Sequence, residues 1–138
     1  MILRGMNFSE KELHKAVCNY IRLQYNGTLF NSDLAGSMKL TMGQAAQLKP
    51  LRSNRGFPDI AIYEPRQSLK NGSYHGLFIE LKKEGERLYK KDGTPATDHI
   101  AEQLDCLLHL RKRGYAAAFA IGFMAAKQII DSYMKGEL

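Results

Sequence analysis

The chain has 138 residues, of which 44% are hydrophobic and 25% charged, and its formal net charge is +6 at pH 7. This length and composition predict one globular domain over residues 1–138, with enough apolar side chains for a buried core. Two cysteines are too few for a disulfide scaffold, and no apolar run reaches the roughly 20 residues that span a bilayer. No signal peptide is visible, so we expect a protein of the cytoplasm whose positive charge favours polyanions such as nucleic acid.

The first half of the chain predicts two helices and two strands. Ser9 and Glu12 fit a capping box at the start of the first helix, and apolar residues then recur on one of its faces. In chain order the elements are a helix over 9–25, a strand over 28–35, a short helix over 42–49, a basic loop over 52–56 and a strand over 59–64.

The second half predicts alternating strands and helices. Residues 115–123, rich in alanine, are interpreted as a buried strand, although their composition also fits a helix. The order indicates an α/β protein in which helices cover a sheet. The predicted elements are a turn region over 66–75, a strand over 76–83, a polar loop over 84–97, a helix over 98–113, the strand over 115–123 and a helix over 124–136.

Three charged residues interrupt the two central strands. Asp59 opens the strand over 59–64, and Glu80 and Lys82 lie inside the apolar strand over 76–83. Side chains alternate along a strand, so Glu80 and Lys82 share one face. If the two strands pair, Asp59 comes close to Glu80. Each charge alone also fits a turn or a solvated salt bridge, and only the combination is distinctive.

Two neighbouring carboxylates are costly to bury unless a cation compensates for their repulsion. Mg²⁺ or Mn²⁺ fits this role, because both cations prefer oxygen ligands from carboxylates, carbonyls, water and phosphates. Such a cation stabilises charge that develops on phosphorus, and a nearby lysine can orient the attacking water or contact the phosphate. Asp59, Glu80 and Lys82 therefore outline a site for phosphodiester hydrolysis.

The segments GFPDIAIYE and FIELKK resemble the signature of the PD-(D/E)XK nuclease superfamily. The later segment AEQLDCLLHLRKRGYAAAFAIG resembles the VRR-NUC family within it, and the resemblance covers residues 9–123. It implies an αβββαβ core with a mixed central sheet flanked by helices, and a metal-dependent nuclease. The residues that match the family pattern are Gly56, Pro58, Asp59, Glu80, Lys82, Gln103 and Gly114.

The resemblance also implies roles for individual residues. Asp59 and Glu80, with the backbone carbonyl of Leu81, would bind Mg²⁺ or Mn²⁺. Lys82 would position or activate the attacking water.

Two helical residues are candidates to complete the site. Helical geometry places Glu10 close to the direction of Val17, so Glu10 is predicted to face the sheet and to reach the metal, directly or through water. Glu12 points away and suits the capping box. Gln103 borders the apolar stripe of its helix, so it can hold a water or a phosphate. The family often has Gln where this chain has His14, which leaves the role of His14 open.

Basic residues concentrate in two segments that are predicted to bind DNA. One is the loop over 52–56, and the other is an insertion over 83–102 relative to the family. Tyr89 lies among the cations of this insertion and could stack on an unpaired base, although a merely solvated loop is the alternative. The predicted DNA-binding residues are Arg52, Arg55, Lys83, Arg87, Lys90 and Lys91.

These features predict a metal-dependent endodeoxyribonuclease, and the superfamily resemblance implies that it leaves a 5′-phosphate. Stand-alone VRR-NUC proteins of this size look like phage-encoded enzymes, which implies the cytoplasm of a host cell and branched DNA, including four-way junctions, as substrate. Symmetric cutting of a junction favours a C2 homodimer. One alternative is a non-cleaving DNA-binding module, which the intact Asp59, Glu80 and Lys82 disfavour. Another is a sequence-specific restriction endonuclease, for which 138 residues leave little room.

Overall fold

A four-stranded mixed β-sheet forms the centre of the fold. The structure is a computed structural model that describes residues 7–33 and 40–138. These residues form the strands β1 (Phe30–Ser32), β2 (Ile60–Ile62), β3 (Arg66–Ser68), β4 (Gly72–Tyr74), β5 (Leu77–Lys82) and β6 (Ala116–Ile121). The central sheet has the order β1–β2–β5–β6, in which β2 is antiparallel to both neighbours and β6 is parallel to β5. β3 and β4 form a separate hairpin.

Helices lie on both sides of this sheet. They are α1 (Glu10–Gln24), α2 (Met42–Leu48), α3 (Asp98–Lys112) and α4 (Phe123–Met134), and a 3₁₀ turn, Lys49–Leu51, follows α2. The predicted capping box begins α1: the Ser9 hydroxyl accepts from the Glu12 N–H (3.2 Å), and the Glu12 carboxylate accepts from the Ser9 N–H (3.1 Å). Within the described part of the chain, no helix is both long and apolar enough to cross a bilayer.

Alternate side chains of β5 separate two layers. Leu77, Ile79 and Leu81 point to one face and form the main core with α1 and α4. Glu80 points to the other face. There α3 covers the sheet, since Gln103 of α3 hydrogen-bonds to Glu80. The β5 side chains are therefore apolar on the face that packs on α1 and α4, and include charged ones on the face beneath α3.

The predicted fold class is confirmed, because the chain is an α/β protein with a mixed central sheet flanked by helices. Apart from the hairpin and α2, the core order is α1–β1–β2–β5–α3–β6, which matches the predicted αβββαβ order up to β6. Residues 116–121 form a strand, so the helix alternative for this alanine-rich segment is wrong. Parallel pairing with β5 along the whole strand overrides the helix propensity of alanine.

The predicted turn region over 66–75 contains a turn at 69–71, but the prediction missed the two short strands that flank it and form the β3–β4 hairpin. Its strands have three residues each and lack an alternation of apolar side chains. Distant contacts fix it to the end of α4: Arg66 Nε donates to the Met134 carbonyl (3.2 Å), and the Leu69 N–H donates to the Gly136 carbonyl (3.3 Å). The local sequence pattern does not contain these partners.

Two other segments differ in detail from their predictions. The strand predicted over 28–35 is β1, which is shorter, and positions 34–35 lie outside the described residues. The segment over 84–97 has no helix or named strand, as predicted, but an isolated bridge between Tyr89 and Pro95 closes a turn within it.

Candidate active site

The carboxyl groups of Asp59 and Glu80 meet at one end of the paired strands β2 and β5. Asp59 directly precedes β2, and Ile60 pairs with Ile79, the neighbour of Glu80. Both acidic residues are buried, with 5% and 4% of their surface exposed. The backbone N–H of Leu81 donates to Oδ2 of Asp59 at 2.9 Å and fixes this carboxyl group against β5. The antiparallel pairing thus produces the close approach that the strand assignment anticipated.

Burial favours the protonated form of these two carboxyl groups when no cation is bound. Burial, followed by the charge of Asp59 and a hydrogen bond with it, raises the pKa of Glu80 from 4.5 to about 9. Burial also raises the pKa of Asp59, although nearby His14 opposes this rise. Both groups can be ionised together only when a positive charge compensates for their repulsion.

Gln103 lies over this pair and contacts Glu80 directly. Its side chain is 4% exposed, and Nε2 donates to Oε1 of Glu80 at 2.6 Å. The same Nε2 lies 3.2 Å from Nε2 of His99, one turn earlier on α3. Gln103 therefore faces the sheet, in the orientation that helical periodicity indicated.

Lys82 follows Glu80 on the same face of β5. It is 6% exposed, and its charge opposes the rise in the pKa of both Asp59 and Glu80. Its Nζ lies 4.0 Å from Oε1 of Glu86, which follows the turn after β5. In the sequence, Glu86 falls within the polar loop predicted over 84–97. Its spacing of four residues from Lys82 was the available signal, but outside a helix that spacing does not predict a contact.

His14 is a site residue to which sequence analysis gave no role. It is 3% exposed on α1, with Nε2 3.6 Å from Oδ1 of Asp59 and Nδ1 2.8 Å from Oγ of Ser32. The ring thus connects α1 and β1 to the Asp59 carboxyl group. A signal existed, because His14 lies on the apolar stripe three residues before Val17, and a buried polar side chain needs partners.

The predicted orientation of Glu10 toward the sheet is wrong. Glu10 is exposed in the first turn of α1, and the buried face of this helix begins at Leu13 and His14. Residues four apart lie on the same side of a helix, so Glu10 shares the side of His14 around the helix axis, but it lies one turn nearer the helix start, where that side is exposed. His14 takes the place beside Asp59.

The carbonyl of Leu81 points to the flank of β5 on which Asp59 lies. In a strand, the N–H and C=O of one residue point to the same side, and the N–H of Leu81 bonds to Asp59. The next carbonyl, that of Lys82, accepts from the Gly122 N–H on the opposite flank, at 2.8 Å. Pairing between β2 and β5 ends at Ile60, so β2 does not use the Leu81 carbonyl.

The atoms around this pair suit a hard divalent cation. Three buried side-chain atoms of the described residues have no hydrogen-bond partner: Oε2 of Glu80, Oε2 of Glu86 and Oε1 of Gln103. The oxygens of Glu80 and Gln103 lie at the carboxyl pair, and Glu86 contacts the neighbouring Lys82. What these oxygens lack is a donor or a cation. Residues 7–33 and 40–138 contain no cluster of three His, Cys, Asp or Glu side chains placed as metal ligands. The site instead offers two carboxylates and neutral oxygens, a set that suits Mg²⁺, which keeps several of its waters.

A cleft of about 770 Å³ opens over the carboxyl pair, with Asp59, Glu80 and Gln103 in its lining. The predicted DNA-binding residues Arg52 and Arg55 line it as well. Arg52 forms an ion pair with Asp33 at 2.6 Å, and Arg55 is 74% exposed, with its guanidinium 3.9 Å from Glu102. The structure therefore brings the basic loop and the carboxyl pair to one cavity.

The remaining predicted DNA-binding residues lie outside the lining of this cleft. All of them are exposed on the segment that follows β5, namely Lys83, Arg87, Lys90 and Lys91. Their solvent-facing position is compatible with contact to a polyanion that extends beyond the cleft.

A mixed sheet between helices, with a buried carboxyl pair and a lysine on adjacent strands, defines a nuclease-like α/β fold. No family model matches the chain, and no curated protein matches it. Among solved structures, a protein described as "VRR_NUC domain protein" is similar, with a TM-score of 0.65 and 27% sequence identity. The match covers 93% of this chain and 89% of that one. The chain thus shares the fold of a VRR_NUC domain, in agreement with the resemblance seen in the sequence.

Proposed function

We propose that the chain is a divalent-metal-dependent endodeoxyribonuclease that hydrolyses DNA phosphodiester bonds. The observation that carries this proposal is the buried Asp59–Glu80 pair beneath a cleft lined by arginines. The structural likeness to a VRR_NUC domain protein supports it. Burying two carboxyl groups together destabilises a protein, so such a pair is expected where a cation is used.

Asp59, Glu80 and the Leu81 carbonyl are the proposed holders of Mg²⁺ or Mn²⁺. The bound cation would stabilise the negative charge that develops on the phosphate during the reaction. Lys82 orients the attacking water and contacts a phosphate oxygen, because its buried position keeps its charge on the face that carries Glu80. Gln103 holds Glu80 in place, and His14 holds Asp59.

The proposed reaction adds one water across the phosphodiester bond. The water oxygen bonds to phosphorus while the bond between phosphorus and the 3′ oxygen breaks. One proton of the water ends on the leaving 3′ oxygen through solvent, which gives a 5′-phosphate and a 3′-hydroxyl.

Branched DNA, including four-way junctions, is the proposed preferred substrate, and the proposed setting is the cytoplasm, that of a host cell if the enzyme is phage-encoded. A junction has two-fold symmetry, so a C2 homodimer that carries two sites would cut it symmetrically. Light scattering of the protein, alone and with a junction, tests this assembly. One protomer per junction at saturation would argue against the dimer.

The central experiment incubates the protein with labelled four-way junction, flap and linear duplex DNA, in Mg²⁺ and in EDTA. We expect the wild type to cut branched substrates in Mg²⁺ and not in EDTA. Asp59→Asn should not cut, and its affinity for Mn²⁺, measured by calorimetry, should be lower than that of the wild type. Binding without cutting in both Mg²⁺ and Mn²⁺ would identify a DNA-binding module. Cutting confined to one sequence in all three substrates would identify a restriction enzyme.

A further inference from the structure

One wall of the cleft combines positive charge with apolar surface. It is formed by residues 40–57, which contain no Asp or Glu. Lys49, Arg52 and Arg55 are the cations of this wall, of which Arg52 is paired with Asp33, and Ala45 and Phe57 are among its apolar members. Cations beside an aromatic platform are the features with which proteins hold single-stranded nucleic acid, because cations bind phosphates and rings stack on bases.

Phe57 lines the cleft between two residues that are packed against the rest of the fold. Gly56, before it, has a φ of +77°, and a Cβ there would lie 2.9 Å from the backbone of Gln103, so this residue packs directly on α3. Pro58, after it, is buried. Phe57 itself is 39% exposed and lines the cleft. Only Pro58 lies between Phe57 and Asp59, so their Cα atoms are at most about 7 Å apart.

We infer that the cleft takes an unpaired nucleotide, whose base stacks on Phe57 while its phosphate lies over Asp59 and Glu80. The inference rests on the proposed function, which places the phosphate. A volume of about 770 Å³ falls in the range of sites for small molecules and suits a nucleotide rather than a stacked base pair with both its strands. The enzyme would therefore select DNA in which a base next to the cut is free to leave the duplex.

Another exposed aromatic residue provides a control for Phe57. Tyr63 is 49% exposed, but it lies outside the cleft lining and bonds through its hydroxyl to Asn31 at 2.6 Å. Replacing Tyr63 by Leu removes a comparable ring from the surface without changing the cleft.

The experiment is a double-mutant cycle in which the ring of Phe57 and the base of one nucleotide are removed separately and together. Flap substrates are made in which each nucleotide near the cut is replaced in turn by an abasic one. Their affinities for the wild type, Phe57→Leu and Tyr63→Leu are measured by fluorescence anisotropy in EDTA, and their cutting is measured in Mg²⁺. Thermal melting and Mn²⁺ titration of Phe57→Leu check that the fold and the carboxyl pair are intact, and Phe57→Tyr should behave as the wild type.

At one position beside the cut, we expect loss of the base to weaken wild-type binding roughly tenfold, in line with the usual strength of stacking on an aromatic side chain. The same loss should occur with Tyr63→Leu, whereas Phe57→Leu should bind the intact and the abasic substrate equally, because the partner ring is gone. Equal losses in the wild type and Phe57→Leu, with normal cutting, would overturn the inference and leave the proposed function standing. A wild type that cuts no substrate would overturn both.

Discussion

The side-chain amide of Gln103 donates a 2.6 Å hydrogen bond to Oε1 of Glu80 and thereby connects α3 to β5 inside the site. The backbone of Gln103 also forms the surface on which Gly56 packs. Three segments that are distant in sequence therefore meet at one residue. The close packing of Gly56 on the Gln103 backbone allows α3 to lie over the carboxyl pair, because a side chain larger than that of glycine does not fit between the loop and the helix.

Gly56→Ala tests this packing. Its Cβ would lie 2.9 Å from the Gln103 backbone, and its φ of +77° is unfavourable for alanine. We expect the free energy of unfolding to fall by more than the roughly 1–2 kcal/mol that the backbone conformation alone costs. Cutting should fall too, because α3 must move away from Glu80.

Gly27→Ala is the matched control, since Gly27 has a φ of +88° and nothing within 4 Å of the added Cβ. It should lose stability through the backbone alone and keep its activity. Equal urea-unfolding curves for the two variants would show that the contact with α3 does not matter.

Lys82→Ala should abolish cutting while DNA binding stays close to that of the wild type. Lys82 is buried on the face that carries Glu80. Its charge should therefore act on the reacting phosphate and contribute little to contacts with the other phosphates of the DNA. A group that positions or activates a water contributes about 100-fold or more to the rate. Single-turnover cleavage and anisotropy on the same substrate measure the two effects.

Lys70→Ala removes the same charge from an exposed position in the turn between β3 and β4, outside the lining of the cleft. This control should cut within a few-fold of the wild-type rate. If Lys82→Ala cuts as fast as Lys70→Ala, Lys82 has no part in the reaction.

The carboxyl pair predicts an unusual dependence of stability on pH in the metal-free protein. The pKa of Glu80 rises from 4.5 to about 9 on folding, so the folded state holds a proton that the unfolded state releases above pH 4.5. Stability should therefore fall as pH rises from 4.5 to 9, by up to about 1.4 kcal/mol per pH unit from this group. Thermal unfolding in EDTA between pH 5 and pH 9 measures this slope.

Glu80→Gln should remove most of that slope and melt a few degrees above the wild type at pH 8.5 in EDTA, because the amide mimics the protonated acid. Mn²⁺ should stabilise the wild type but not this variant. Glu137→Gln, at an exposed position, is the control and should leave the slope unchanged. A wild-type melting temperature that stays flat or rises over this range would contradict the buried proton.

The parts of this molecule that local patterns determine could be predicted from its sequence. Strand alternation placed Glu80 and Lys82 on one face, and helical periodicity turned Gln103 toward the sheet. His14 and Glu86 were missed for a different reason. Their partners, Asp59 and Lys82, come within reach only when α1 packs on the sheet and the chain turns after β5, and neither event leaves a local pattern.

The same limit explains the error at Glu10 and the missed hairpin. Periodicity gives the direction of a side chain around its helix axis, but not how far along the axis the helix contacts the sheet. The β3–β4 hairpin depends on the end of α4, as the bond from Arg66 to Met134 across 68 residues shows. Contacts of this range require the assembled fold.

Arg55 provides a measure of how DNA occupies the cleft. It lines the cavity, its side chain is 74% exposed, and its long 3.9 Å contact with Glu102 is at the surface, where a phosphate can compete for it. If it does, Arg55→Ala should reduce the slope of log affinity against log salt concentration by about 0.7–0.9, the value expected for one lost phosphate contact. Lys135→Ala removes an equal charge at an exposed position after α4 and should leave the slope unchanged.

A double variant, Lys90→Ala with Lys91→Ala, tests whether DNA contacts the segment after β5. If only this double variant changes the slope, the DNA strand runs over the segment after β5 and not through the cleft.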